Sequence, residues 1–217
     1  MDYQAFYVTM KLALVTTAAL VLLAAPLAAV LAFRRFPGKS LLEALVNLPL
    51  ALPPTVIGFY LIVLMGPKGT VGRMWEALTG GSLLFTFVGI AVASALYSLP
   101  FAIQPMKAAF QKIDPRLLES AYVLGLSRTA AFVRVILPNS VSGIAAAGIL
   151  VFLHTMGAFG VLLMVGGSLP GETRVASIAI YEAVETMDYT RAAWMSLAFV
   201  PISYLFLLAA NRLNRGA

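Results

Sequence analysis

Within an otherwise apolar chain, residues 107–138 carry Lys107, Lys112, Asp114, Arg116, Glu119, Arg128 and Arg134. Cations and carboxylates scattered at this spacing suit ion pairing with a partner surface, not the making or breaking of bonds. Elsewhere the reactive residue types thin out. There is no cysteine, which excludes disulfides, thiolate metal sites and cysteine nucleophiles. His154 is the single histidine, and no second His or paired carboxylate accompanies it in the sequence. It reads as a packing residue inside a span, and no metal site is expected. No Gly-x-x-x-x-Gly-Lys-Ser/Thr phosphate loop occurs. No residue is assigned a catalytic, cofactor-binding or metal-binding role.

The elements that must position this polar island are membrane spans. The 217 residues are 61% hydrophobic and 11% charged, with a mean hydropathy of +0.93. Soluble chains average about 25% charged residues. The net charge of +6 falls between apolar runs and not along one face, so it signals cytoplasmic loops and not nucleic acid. Charge-free runs cover 12–33, 44–67, 77–106, 135–171 and 192–211. A crossing takes about 20 residues. One transmembrane domain over 1–217 is expected, all-α, with spans near 9–33, 43–65, 83–105, 140–165 and 192–211. The N-terminus reads as a retained first span. In the fourth run Gly157, Gly160, Gly166, Gly167 and Pro170 predict a helix ending near Thr155, then a broken or re-entrant piece. A glycine-rich helix packed closely on its neighbours is the equal alternative. Residues 175–181 predict a short amphipathic helix at the outer surface.

Five spans put Arg34, Arg35, Lys39, the five island cations, Arg212 and Arg215 on one face. Lys11, Lys68, Arg73, Arg174 and Arg191 fall on the other. The richer face belongs in the cytoplasm, which places the N-terminus outside and the C-terminus inside. A sixth span leaves the same balance, and length favours five. Six acids (Asp2, Glu76, Glu172, Glu182, Glu185, Asp188) then lie outside. No ionisable group lies in the middle of a span, which argues against a proton-coupled carrier.

Within the island, Asp114-Pro115 is a helix start and Gly125 a helix stop. Ser127 caps a second helix that ends at Pro138 and Asn139. The result is a helix-turn-helix across the inner face, with small Ser120 and Ala121 permitting close approach and Glu119 offering a carboxylate.

Glu119-Ser-Ala121, three residues, Gly125, nine residues, then Val135-Ile-Leu137-Pro138 resembles the EAA loop of ABC importer permeases. Ser120 and Val135 depart from that pattern by small changes of shape. Phe36-Pro-Gly-Lys39, Asn47-Leu-Pro-Leu-Ala-Leu-Pro-Pro-Thr-Val-Ile-Gly-Phe-Tyr60, Tyr97-Ser-Leu-Pro-Phe-Ala-Ile-Gln-Pro105 and His154-Thr-Met-Gly-Ala-Phe-Gly160 are similar to the molybdate (ModB) permease family. So is the stretch from Gly166 to Tyr181. Sulfate and tungstate permeases share much of this. The family usually has Glu where Ala158 stands.

The resemblance implies a type I importer permease fold in a bacterial inner membrane, working as a homodimer. Glu119, Ser120, Ala121, Gly125, Leu137 and Pro138 are then the ATPase-coupling residues, seated in a cytoplasmic ABC ATPase dimer. ATP and Mg belong to that ATPase, and this chain binds no cofactor. A periplasmic or other extracytoplasmic oxyanion-binding protein delivers the substrate. Membrane lipid is a further partner; nucleic acid is not. Thr55, Ser98, Thr155, Gly157, Gly160, Gly166 and Gly167 are the pathway candidates. A charge-free route suits transient passage of a doubly charged anion, which a buried cation would hold too tightly. The competing readings are a membrane enzyme built on His154 and the outer acids, and a secondary carrier.

Overall fold

The computed structural model describes residues 2–215, and all regular structure among them is helical. Helix α1 (Tyr3–Phe33) starts where the Asp2 carboxylate accepts from the Ala5 N–H at 3.0 Å. Its 31 residues exceed what the hydrocarbon core requires. It also begins six residues ahead of the expected 9–33 span.

The expected 43–65 span is two helices, α2 (Lys39–Ala51) and α3 (Pro54–Met65), bent by 115°. The cause lies at Leu52-Pro53-Pro54. Leu52 is held extended (φ −89°, ψ 141°) ahead of a proline, and neither proline has an N–H to continue the ladder. Lone prolines behave differently: Pro26, Pro49, Pro100, Pro105 and Pro201 all sit inside helices.

A short helix, α4 (Thr70–Thr79), follows and is closed by Gly80 at φ +74°. Helix α5 (Phe87–Gln111) is capped by the Thr86 hydroxyl. It starts four residues after the expected 83–105 span and runs six beyond it. Three short pieces come next: α6 (Pro115–Val123), α7 (Arg128–Ala131) and α8 (Leu137–Asn139), with a π-helical turn at Phe132–Ile136 before α8. A 76° bend then leads into α9 (Val141–Gly157). After Ala158 and Phe159 the chain forms α10 (Gly160–Gly166), so the expected 140–165 span is a broken one. Helix α11 (Ala176–Glu185) lies where a short amphipathic helix is expected at 175–181 and runs four residues further, with Tyr181, Val184 and Glu185 exposed. It buries Ala176, Ile178, Ala179 and Ala183, because its apolar face packs on α1 and α12 (Tyr189–Arg215). The expected 192–211 span lies within α12. Residues 1, 216 and 217 of the expected 1–217 domain lie outside the described residues.

Helices α1, α5 and α9 form the centre of the bundle. In lipid the close packing of small residues, not the hydrophobic effect, joins helices. Accordingly Ala13, Ala24, Ala28, Ala102 and Ala147 are buried there. Irregular backbone is satisfied by side chains, as membrane depth requires. The Ser177 hydroxyl donates to the Ala158 carbonyl at 2.6 Å, and Thr173 donates to the Gly166 carbonyl at 2.6 Å. Thr9 accepts from the Ala176 N–H at 2.7 Å and so ties α1 to the start of α11.

Candidate functional site

The hairpin at 107–138 is built from local signals. The Asp114 carboxylate accepts from the Arg116 N–H at 2.9 Å and starts α6. The helix closes in a Schellman turn: Leu126 N–H reaches the Ala121 carbonyl and Gly125 N–H the Tyr122 carbonyl. This turn needs Gly125 at φ +82°. Ser127 then caps α7 through the Ala130 N–H at 3.2 Å. Pro138 cannot donate to a helical ladder, and the preceding turn widens to a π-turn in which Leu137 N–H bonds the Phe132 carbonyl. Asn139 uses its side chain to satisfy the Val135 carbonyl at 2.7 Å.

The coupling candidates divide by burial. Glu119, Ser120, Gly125 and Pro138 are exposed, Leu137 is half-buried, and Ala121 is buried. The Ser120 hydroxyl donates back to the Arg116 carbonyl at 2.8 Å, which leaves that face smooth. Glu119 makes no ion pair among the described residues. Ile113 and Ile136 anchor the hairpin in one buried cluster with Leu31 of α1, Phe110 of α5 and Val151 of α9. From α6 itself, Leu118 packs against this cluster.

Lys107 is not available to a partner, contrary to its expected place in the docking island. Its ammonium contacts Glu43 of α2 at 2.6 Å, and one turn away Gln104 donates to Asn47 at 2.7 Å. Glu43 and Asn47 stand four apart on α2; Gln104 and Lys107 stand three apart on α5, so both pairs share one helix face. That spacing aligns the two pairs only once α2 and α5 are known to pack together. Lys107→Glu will lower the thermal midpoint in detergent by several degrees, and adding Glu43→Lys will restore most of it.

The pathway candidates fall into separate contacts. Ser98 and Thr155 meet across α5 and α9, with hydroxyls 3.2 Å apart, and Ser98 lies 2.9 Å from His154 Nδ1. The imidazole stacks on Phe101 at 4.1 Å and meets Tyr97 tilted at 46°, with 4.5 Å between ring centres. Thr55 is exposed at the start of α3, where α3 crosses Gly160 closely: a Cβ there would lie 3.2 Å from Pro54 Cβ. Gly157 faces a small apolar space of about 250 Å³. Gly166 is filled in by Ile90 and Thr173, and Gly167 turns at φ +63° beside Phe85. Ala158 is buried with Val8, Leu12 and Ile90, where the family usually has Glu.

At the opposite end of the bundle, Arg174 contacts Asp2 at 3.2 Å and Glu182 at 2.6 Å, and Arg191 contacts Asp2 at 3.1 Å. Ser168 donates to Glu182. Two of the six expected outer acids, Asp2 and Glu182, are thus held in ion pairs; Glu185 accepts from the Tyr181 hydroxyl and Asp188 from the Arg191 N–H, and both remain exposed, as do Glu76 and Glu172.

Helices joined this way match solved transporters. The fold superposes on a bacterial alginate ABC transporter crystallised with an alginate pentasaccharide-bound periplasmic protein, with a TM-score of 0.76. That match covers 98% of this chain and 78% of the other at 19% identity. An amino acid ABC transporter crystallised with histidines superposes with a TM-score of 0.64, at 14% identity, covering 100% of this chain and 94% of that one. By sequence, the chain is 44% identical to the molybdenum transport system permease protein ModB of Azotobacter vinelandii, over 96% of this chain and 92% of the relative. It is 33% identical to Escherichia coli (strain K12) ModB, over 83% of this chain and 80% of the relative. It is also 33% identical to the sulfate permease CysT of the same organism, over 83% of this chain and 65% of the relative. Residues 6–216 match the model of the binding-protein-dependent transport system inner membrane component, and the chain belongs to that family of membrane permeases.

Proposed function

We propose that this chain is the permease subunit of an ATP-driven importer that moves molybdate inward across a bacterial inner membrane. The observation that carries the substrate is the 44% identity to a molybdenum permease along nearly the whole of both chains. Tungstate is the runner-up by its like charge and shape. Sulfate is the weaker alternative, since the match to the sulfate permease is lower and covers only 65% of that protein.

Two copies enclose the pathway, and each seats its α6 hairpin in one subunit of a cytoplasmic ABC ATPase. The ATPase holds the ATP and Mg, and this chain does no bond chemistry. The Schellman-capped hairpin, its exposed Glu119 and Gly125, and its anchoring in the central three helices support this role. On this reading the chain crosses five times, with α2–α3 and α9–α10 as broken crossings. The N-terminus lies outside and the C-terminus inside. An extracytoplasmic binding protein docks near the exposed Glu76, Glu172, Glu185 and Asp188. Thr55 offers the anion an exposed hydroxyl; Ser98 and Thr155, buried against each other here, reach it only in a state in which α5 and α9 part, and no cation retains it.

The test is uptake by cells expressing this chain with its ATPase and binding protein, with labelled molybdate competed by tungstate and sulfate. Molybdate uptake suppressed by tungstate but not by sulfate is expected; uptake of sulfate in preference would overturn the substrate. In the same assay Ser98→Ala will lower uptake by about fivefold, the loss of roughly one hydrogen bond in the rate-limiting state. Unchanged uptake would remove Ser98 from the pathway.

A further inference from the structure

A groove of about 1110 Å³ runs between the last third of α1 and the hairpin. It is larger than most small-ligand clefts, which hold about 300–1,000 Å³. Its floor is apolar, formed by Pro26, Val30 and Phe33 of α1 and by Phe132 and Val133 of the π-turn. Its mouth is cationic and hydroxylic, with Arg34, Arg128, Ser127 and Thr129. No acid lines it, and neither arginine has an ion-pair partner among the described residues. From Arg34 back to Pro26 the groove follows α1 for eight residues, about 12 Å.

That depth decides the occupant. Arg34 ends α1, so the mouth sits at the membrane interface and the floor extends toward the hydrocarbon core. A soluble ATPase does not reach so far into lipid. A free oxyanion has a use for the arginines but none for a 12 Å apolar trough. One class of molecule carries an anionic phosphate at the interface and an acyl chain below it. We propose that this groove is a binding site for an anionic phospholipid, its phosphate held by Arg34 and Arg128 and one acyl chain lying along Pro26, Val30 and Phe33. Basic pockets between membrane helices on the cytoplasmic side recognise lipid headgroups by the same chemistry. The assignment rests on the hairpin facing the cytoplasm, as in the importer reading. Because Phe132 and Ile136 belong to the hairpin's anchor, a lipid here would stiffen the element that receives the ATPase.

The full permease, purified with its ATPase, is to be exchanged against mixed micelles of phosphatidylglycerol and phosphatidylethanolamine, and retained lipid counted by native mass spectrometry. Wild type is expected to keep phosphatidylglycerol selectively. Arg34→Gln combined with Arg128→Gln is expected to lose it by roughly tenfold or more. Arg35→Gln, the adjacent cation outside the groove, is expected to keep it. Val133→Trp, which fills the trough and leaves both charges, is expected to lose it as well. Equal retention of the two lipids by wild type, or retention unchanged in the double variant, overturns the site. So does displacement by inorganic phosphate alone, or cross-linking of position 133 to a second copy of the chain. Retention is read without transport, so a negative result here leaves the importer reading standing, and failed uptake leaves the lipid site standing.

Discussion

Val123→Asp and Leu124→Asp are expected to strip the permease of its ATPase and stop uptake while the protein still inserts at normal yield. These two residues end α6 immediately before the Gly125 turn, and they are 87% and 79% exposed. Side chains this open contribute little to the fold of the chain itself. An apolar pair held out at a rigid helix end is instead what a partner's cleft would enclose. Desolvated anchors of this kind are worth about 2–4 kcal/mol when lost, or roughly 30- to 1,000-fold in affinity. Burying a new carboxylate in the contact adds to the penalty. The measurement is the ATPase-to-permease ratio recovered on a tagged permease, alongside uptake. A ratio equal to wild type would separate α6 from docking. Glu119→Arg is expected to act the same way through charge. Gly125 provides a graded control, because nothing lies within 4 Å of a Cβ there and only backbone strain opposes substitution. Asp tolerates a left-handed φ better than a β-branched residue does, so Gly125→Val will weaken recovery more than Gly125→Asp.

How much of this was legible in the sequence depended on how local the cause was. The hairpin was readable because its signals are adjacent: Asp114 with Pro115, Gly125 after the last helical residues, Ser127 ahead of α7. The break at Pro53-Pro54 was visible as two prolines, but its 115° angle was not, since the direction of a turn between two helices depends on where each packs. Residues 175–181 show the same limit from the other side. Their length forbids a crossing, yet only the tertiary partners, α1 and α12, reveal that the apolar face turns inward. The Lys107–Glu43 contact joins residues 64 apart, and no composition rule separates it from a free docking cation. The pathway candidates were chosen for residue type alone. Type places Ser98 beside Thr155 only once α5 and α9 are known to touch there.

The contact between α5 and α9 carries the second large effect. Gly143, in the first turn of α9, has no room for a side chain: a Cβ would stand 2.2 Å from Ala109 Cβ and 3.5 Å from the Pro105 carbonyl oxygen. The obstruction is a methyl fixed to the α5 backbone, so no rotamer change relieves it and the two helices must separate. Overpacking of a tight contact costs about 1–3 kcal/mol even when the neighbours can yield, and here they cannot. Gly143→Leu is therefore expected to lower the thermal midpoint by at least several degrees and to abolish uptake. The complementary change tests the cause. Ala109→Gly on its own removes only a small side chain; combined with Gly143→Ala, it returns one methyl to the same space from the opposite helix. The double variant is expected to regain stability relative to Gly143→Ala alone, read as thermal midpoint in detergent. If Gly143→Ala proves as stable as wild type, the helices do not approach this closely. Because the crossing lies at the start of α9, where the 76° bend leaves the hairpin, loosening it should also weaken recovery of the ATPase. A variant that unfolds α9 from α5 yet keeps full ATPase stoichiometry would show that the hairpin holds its shape without the bundle beneath it, and that motion reaches the membrane helices by another route.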